Sequence, residues 1–271
     1  MEQSKIKLGM ILTLSVIAVL ISGIVIAENS NNNNKNEPFK LPPGAVQVSE
    51  NVYSLGKAKD VDGREVEGFA FIDKKKENAK PGSGGNGGIK CYTFLAKGAK
   101  WKVIEPWVAN PTNTEGLAND FVFNNLGLDI QKWEDASSTN ILGSGSINTS
   151  ILVADTSIPD GQNEAYFGDV ASPGAIAVTI VWGIFSGPPS IRELVEWDQI
   201  YDQIDFDWKS TGEAGKMDFE NIATHELGHS VGMGHPPSEC TEETMYAFAS
   251  LGETKKRTLN SGDIAGVNEL Y

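Results

Sequence analysis

Residues 225–235 read HELGHSVGMGH and hold all three histidines of a 271-residue chain. No other stretch constrains the fold as tightly, because the backbone must bring these imidazoles together over a very short span. His225 and His229 are four residues apart, about one helical turn, so both rings project from the same face of a helix. Glu226, the next residue round, is angled away from direct ligation but can reach a water beside the rings. Gly232 and Gly234 let the chain leave the helix in conformations closed to other residues, which allows His235 to turn back toward the same point. Three neutral nitrogens with a fourth position open form a zinc site of the catalytic kind. Two histidines alone would read as an ordinary solvated helix face; the third, reached through glycine, argues against that.

The rest of the main region supports an α/β fold of the α+β type, with a mixed twisted sheet and three main helices. A helix is expected over 217–234, with Ile222, Leu227 and Val231 toward the core. Another is expected over 112–137, capped by Asn113 or Thr114, with Leu117, Phe121, Leu126, Ile130 and Trp133 on its packing face. The last is expected over 259–271, capped by Ser261, with Ile264, Val267, Leu270 and Tyr271 packing. Strand signals fall at 91–103, 146–156, 174–183 and, by strict alternation, 204–208.

Upstream, composition divides the chain. Residues 1–27 carry Lys5 and Lys7 ahead of an apolar run over 8–27. That is the pattern of a secretory signal, and the run is also long enough to anchor in a bilayer about 30 Å thick. Either way the remainder is exported, secreted or held at the outer face of the membrane. Residues 28–45 are polar, Asn-rich and Pro-punctuated, a linker that cannot bury a core. Residues 46–87 contain a hairpin signal around Asp62-Gly63 and end in a Lys- and Gly-rich joint. They read as a pro-segment or as a hairpin added to the domain over 88–271.

The formal charge of −14 argues against nucleic-acid binding, which needs basic surface. It suits an extracellular protein and is compatible with calcium, although no calcium motif is present. Nothing calls for an oligomer, so a monomer is the default. Cys91 and Cys240 are the chain's only cysteines, and an isolated pair in an oxidising compartment usually forms a disulfide.

The pattern HExxHxxGxxH, matched by His225, Glu226, His229, Gly232 and His235, resembles the metzincin zinc peptidases. Met245 in ETMYAF, ten residues past His235, fits the methionine turn beneath their metal. Together with the ending SGDIAGVNELY, it is similar to the matrixin branch. The resemblance implies a metzincin-like catalytic domain with one zinc on the three histidines, Glu226 as general base, Met245 as packing and a polypeptide substrate. It also suggests that residues 174–183 hold the place of the substrate-binding edge strand, although they read equally as an ordinary buried strand. Several positions depart from the family. Pro236 follows the third histidine, Ala247 offers no fifth ligand, and Ala247, Phe248 and Ala249 differ from the usual pocket wall. The family's latency motif is missing, so a Cys91 thiolate latch on zinc stands behind the disulfide as an alternative. A different class also remains open: a non-catalytic surface module that keeps zinc for stability. The intact Glu226 argues against it.

Overall fold

The computed structural model describes residues 37–76 and 89–271. The leader over 1–27, linker residues 28–36 and joint residues 77–88 lie outside them. Among the described residues no helix is long and apolar enough to cross a membrane.

The first three strands are β1 (Val46–Ser49), β2 (Val52–Lys59) and β3 (Glu65–Lys75). Then come β4 (Thr93–Phe94), β5 (Glu105–Asn110), α1 (Asn119–Ser137), β6 (Leu142–Ile147), β7 (Asn163–Gly168), β8 (Ala175–Ile184) and β9 (Glu193–Asp202). The C-terminal part has β10 (Trp208–Lys209), β11 (Met217–Asp218), α2 (Phe219–Ser230), β12 (Met233–Gly234), β13 (Phe248–Ala249) and α3 (Ser261–Leu270). The main sheet runs β1-β2-β3-β8-β9-β7-β5-β6, with β13 pairing to β3. It is mixed: pairings from β1 through β9 are antiparallel, while β9-β7, β7-β5 and β5-β6 are parallel. A mixed sheet with three helices among the described residues is the architecture the sequence implied.

The helices pack on one face of the sheet. Leu126, Ile130 and Trp133 of α1 join Ile222, Leu227 and Val231 of α2 in one core, which also takes Val267 of α3 and Phe71 of β3. A smaller core on the opposite face holds Val66, Ala70 and Ile72 of β3 with Val178, Ile180 and Trp182 of β8. Strand β3 alternates cleanly between the two cores, as a strand buried on both sides must.

Several expectations change here. The stretch over 174–183 becomes β8, but β8 is not an edge strand. It lies between β3 and β9 and is buried along almost its whole length, which is why it reads as an unbroken apolar run. Of the two readings of residues 46–75, the added hairpin is the one seen: β2 and β3 pair around Asp62-Gly63, β1 extends them, and β3 joins the sheet at β8. The strand signal at 91–103 leaves only the short β4, and that at 204–208 only the start of β10, because both lie in turns at the sheet ends. Helix α1 starts later than expected: Asn113 does not cap it but accepts from the backbone N–H groups of Glu115 and Leu117 in the preceding turn. In α3, Ile264 points to solvent, and the cap is Asn260 in a reciprocal box with Asp263 rather than Ser261.

Cys91 and Cys240 form a disulfide between residues 149 apart in sequence, which leaves no thiolate for a latch. A cross-link closing so long a loop constrains the unfolded chain strongly. Cys240→Ser should lower the free energy of unfolding by about 5 kcal/mol before any relief of native strain, read from the denaturant midpoint under non-reducing conditions. An unchanged midpoint would show that the bond does not stabilise the fold.

Candidate metal centre and acidic cluster

Asp218 starts α2 by accepting from the backbone N–H of Asn221, an N-cap that fixes where the helix begins. His225 and His229 then fall on one face. Gly228, between them, lies against Met245 and Trp133, and a Cβ there would collide with both. This is how the methionine turn comes up directly under the helix, with Met245 fully buried as packing. Past the helix cap at Val231 the chain turns away at Gly232, whose φ of +101° few other residues tolerate. Gly234 does not need a positive φ. It is favoured instead by close approach of β4: a Cβ there would lie 2.7 Å from Oγ1 of Thr93, its partner in the pairing of β12 with β4, and 3.3 Å from the Phe94 carbonyl.

The ligating atoms offered by His225, His229 and His235 lie within 4.8 Å of one another. The Nδ1 of His225 donates to the Thr244 carbonyl at 2.7 Å, and that of His229 to the Met233 carbonyl at 2.9 Å. A carbonyl can only accept, so both rings carry their proton on Nδ1 and turn an Nε2 lone pair inward. The Nε2 atoms of His229 and His235 stand 3.1 Å apart. Tetrahedral bonds of about 2.0–2.1 Å would place them about 3.3 Å apart. The Nε2 of His225 is buried with no hydrogen-bond partner among the described residues. Lone pairs converging at this separation, one of them orphaned, fit a bound zinc ion.

Burial holds all three imidazoles below the usual histidine range, His229 at about 3, and the Lys256 ammonium adds to the effect. The rings are therefore neutral and competent to ligate at neutral pH. Lys256 is itself fully buried; its Nζ lies 3.3 Å from Nδ1 of His225 and donates to the Tyr246 carbonyl. Glu226 is also fully buried. Thr179 of β8 donates to its Oε2 at 2.5 Å, while Oε1 has no partner among the described residues. Burial, then the nearby Asp73 carboxylate, pushes Glu226 well above the usual carboxylate range. Asp73 on β3 is a site residue the sequence reading missed; its carboxylate comes within 4.8 Å of ligating atoms of His225 and Glu226. Phe71, two residues before it, stacks on His229 with ring centroids 4.1 Å apart. A cavity of about 170 Å³, lined by Phe69, Phe71, Phe94 and His235 among others, opens beside the third histidine.

A second group of carboxylates lies in β7, β9 and the loop before β7. Asp155, Glu196 and Asp198 bring oxygens within 4.8 Å of one another, and Glu164 sits directly opposite Asp198 across the strand pair. The backbone N–H of Asp155 donates to Asp198 at 2.8 Å, and that of Gly161 donates to Glu196, whose other oxygen has no partner among the described residues. Like charges facing each other across strands are destabilising, and an all-oxygen donor set suits calcium. The sequence held only a faint sign of this, Asp160-Gly161 in a turn.

A family model described as matrixin, of peptidase family M10, matches residues 188–271. Metalloendoproteinase 1-MMP of Arabidopsis thaliana is 41% identical over 69 residues, 25% of this chain and 18% of that protein. Metalloendoproteinase 2-MMP of Arabidopsis thaliana is 27% identical over 191 residues, 68% of this chain and 46% of that protein. Matrilysin of Rattus norvegicus is 40% identical over 60 residues, 22% of each chain. The matches thus span less than half the length of these relatives. With the mixed sheet and the histidine helix, these matches liken the chain to the matrixins, most clearly over its C-terminal third.

The acidic cluster generates a pH dependence with a definite sign. Burial, reinforced by neighbouring carboxylates, raises Asp155 to about 6, Glu164 to about 7 and Glu196 to about 9. The folded chain therefore holds protons that the unfolded chain has released above the ordinary carboxylate range. Stability contributed by these protonated groups is lost as pH rises toward the folded values. In a calcium-selective chelator, Tm should fall between about pH 5 and about pH 8. Added calcium should raise Tm, and more so at the higher pH. A Tm indifferent to calcium across that range would remove the cation from this cluster.

Proposed function

We propose that the chain is a zinc-dependent endopeptidase that acts outside the cell. The observation that carries this reading is Glu226 beside the three histidines, one carboxylate oxygen fixed by Thr179 and the other unpartnered. Pure ligation needs no such carboxylate, so the reading is preferred to a module that keeps zinc only for stability. The disulfide supports an oxidising, extracellular setting, with residues 1–27 as the export leader or anchor.

His225, His229 and His235 would hold the ion. Bound there, zinc supplies Lewis acidity, bringing the pKa of water to about 7 and polarising the scissile carbonyl. Glu226 accepts the proton of the attacking water on Oε1 and passes it to the leaving amine. Thr179 keeps that oxygen aimed by holding its twin. Met245 packs below, and its turn keeps His225 in place through the Thr244 carbonyl.

Purified chain should contain about one zinc, and His229→Ala should lose it and melt at a lower temperature, since the metal ties α2 to the following turn. Full metal content in that variant would overturn the ligand assignment. Glu226→Ala should keep zinc and fold but lose peptide hydrolysis by ~10²–10⁴-fold, the usual worth of a general base. Equal turnover with and without the carboxylate, both abolished by chelator, would show that Glu226 is not the base.

A further inference from the structure

Three basic residues follow one another in the turn Lys255–Arg257, between the methionine turn and α3. The outer two face carboxylates: Lys255 pairs with Glu242, and Arg257 with Asp218, the cap of α2. Lys256 turns inward and is fully buried. Its backbone N–H donates at 2.8 Å to Oδ1 of Asn221 in the first turn of α2, which anchors the residue beside that helix. An ammonium carries three N–H donors. One goes to the Tyr246 carbonyl. The neighbour at 3.3 Å is Nδ1 of His225. That nitrogen cannot accept, because its own proton goes to the Thr244 carbonyl. Lys256 forms no ion pair among the described residues. Asp73 and Glu226 feel its charge without meeting it. After burial, the same charge also helps to hold His225, His229 and His235 below the ordinary histidine range. The contact with His225 is therefore donor against donor. A positive charge is held against the outer nitrogen of a ring whose inner nitrogen is turned to the metal position. Packing alone does not call for it, since a methionine would fill a similar volume without the cost of burying a charge.

We propose that Lys256 is a positioning residue that works by its charge: its ammonium, acting through the His225 ring, loosens the hold of the site on its metal and makes the bound ion a stronger Lewis acid. This rests on the zinc reading above. The outer partners of ligating histidines are usually carbonyls or carboxylates, which make the ring a better donor. His225 has such a partner in the Thr244 carbonyl, and Lys256 opposes it from beside. A cation there makes the ring a poorer donor, so less of the ion's charge is neutralised by its ligands. The site gives up affinity for the dication and gains polarising power toward a carbonyl oxygen. It also attracts any anionic group that meets the ion more strongly.

The test compares three variants of the full chain. Lys256→Met keeps the length without the charge. Lys256→Gln keeps a donor for the Tyr246 carbonyl without the charge. Lys256→Arg keeps the charge. Zinc affinity is read by competition with a chromophoric chelator. Lys256→Met and Lys256→Gln should bind zinc at least ~10-fold more tightly than the wild type, and Lys256→Arg about as the wild type does. Anion binding should move the other way. With Co²⁺ in the site, read by its visible absorption, azide should bind at least ~10-fold more weakly to Lys256→Gln than to the wild type. A residue that only props the methionine turn gives a different pattern: zinc binding weakens in Lys256→Met and stays normal in Lys256→Gln. That pattern, or equal zinc affinity in the wild type and Lys256→Gln, would overturn the proposal. A folding defect confined to Lys256→Met leaves the decision with Lys256→Gln and Lys256→Arg. A wild-type chain that takes up no zinc would overturn the zinc reading itself.

Discussion

The Thr244 carbonyl accepts the Nδ1 proton of His225, and much of the C-terminal region serves to keep that oxygen where it is. Asp263 accepts from the backbone N–H groups of Thr244 and Met245, and its Oδ2 also accepts from that of Asn260, which caps α3. Glu243, one residue before Thr244, accepts from the backbone N–H groups of Gly262 and Asp263. The methionine turn and the first turn of α3 are thus one hydrogen-bonded unit, and α3 in turn packs through Val267 into the core that holds α2. Cys240, just upstream, ties the same segment to Cys91. A shift of any of these groups would move the carbonyl that sets the tautomer of His225, and with it the lone pair turned toward the metal.

Charge is the second organising theme, and the protein handles it differently in its two clusters. Around the histidines, the buried Lys256 ammonium sits among neutral imidazoles and the Asp73 and Glu226 carboxylates. The one buried ammonium thus offsets two buried carboxylates, while the imidazoles stay neutral and keep their lone pairs available. In the β7-β9 cluster, among the described residues, no lysine or arginine enters, and the donors to the carboxylates are backbone N–H groups and Gln162. Such a cluster is tolerable either with protons or with a cation, and these two solutions have opposite pH dependence.

The convergence of the three histidines was legible because its signals are local. The spacing of four, the glycine exit and the returning histidine each map onto one helix and one turn, and the core positions Ile222, Leu227 and Val231 follow from the same period. Strand β9 was not legible, because Glu196, Asp198 and Asp202 interrupt its apolar pattern. They are buried for the sake of the acidic cluster and the turn after it, which tertiary structure alone reveals. Strand β3 was hidden for another reason. Its own pattern is strand-like, but its partner β8 is roughly a hundred residues away in sequence, and the lysine- and glycine-rich joint suggests separation from the domain. Asp73 carries no local sign of its role, since an acidic residue ahead of three lysines reads as ordinary surface charge.

The two-sided burial of β3 sets how firmly the strand is held. Val66 and Ile72 are buried in one core and Phe71 in the other. Burying each such side chain is worth about 1.5–3 kcal/mol, so withdrawal of the strand is opposed by several kcal/mol before its backbone hydrogen bonds to β8 and β13 are counted. Every 1.4 kcal/mol is a factor of about ten in population, so only a small minority of chains would have β3 detached from the sheet at any moment. The strand N-terminal to the lysine- and glycine-rich joint is thus held as firmly as the strands that follow it, and its inward side chains, Phe71 against His229 and Asp73 near Glu226, are fixed parts of the histidine site.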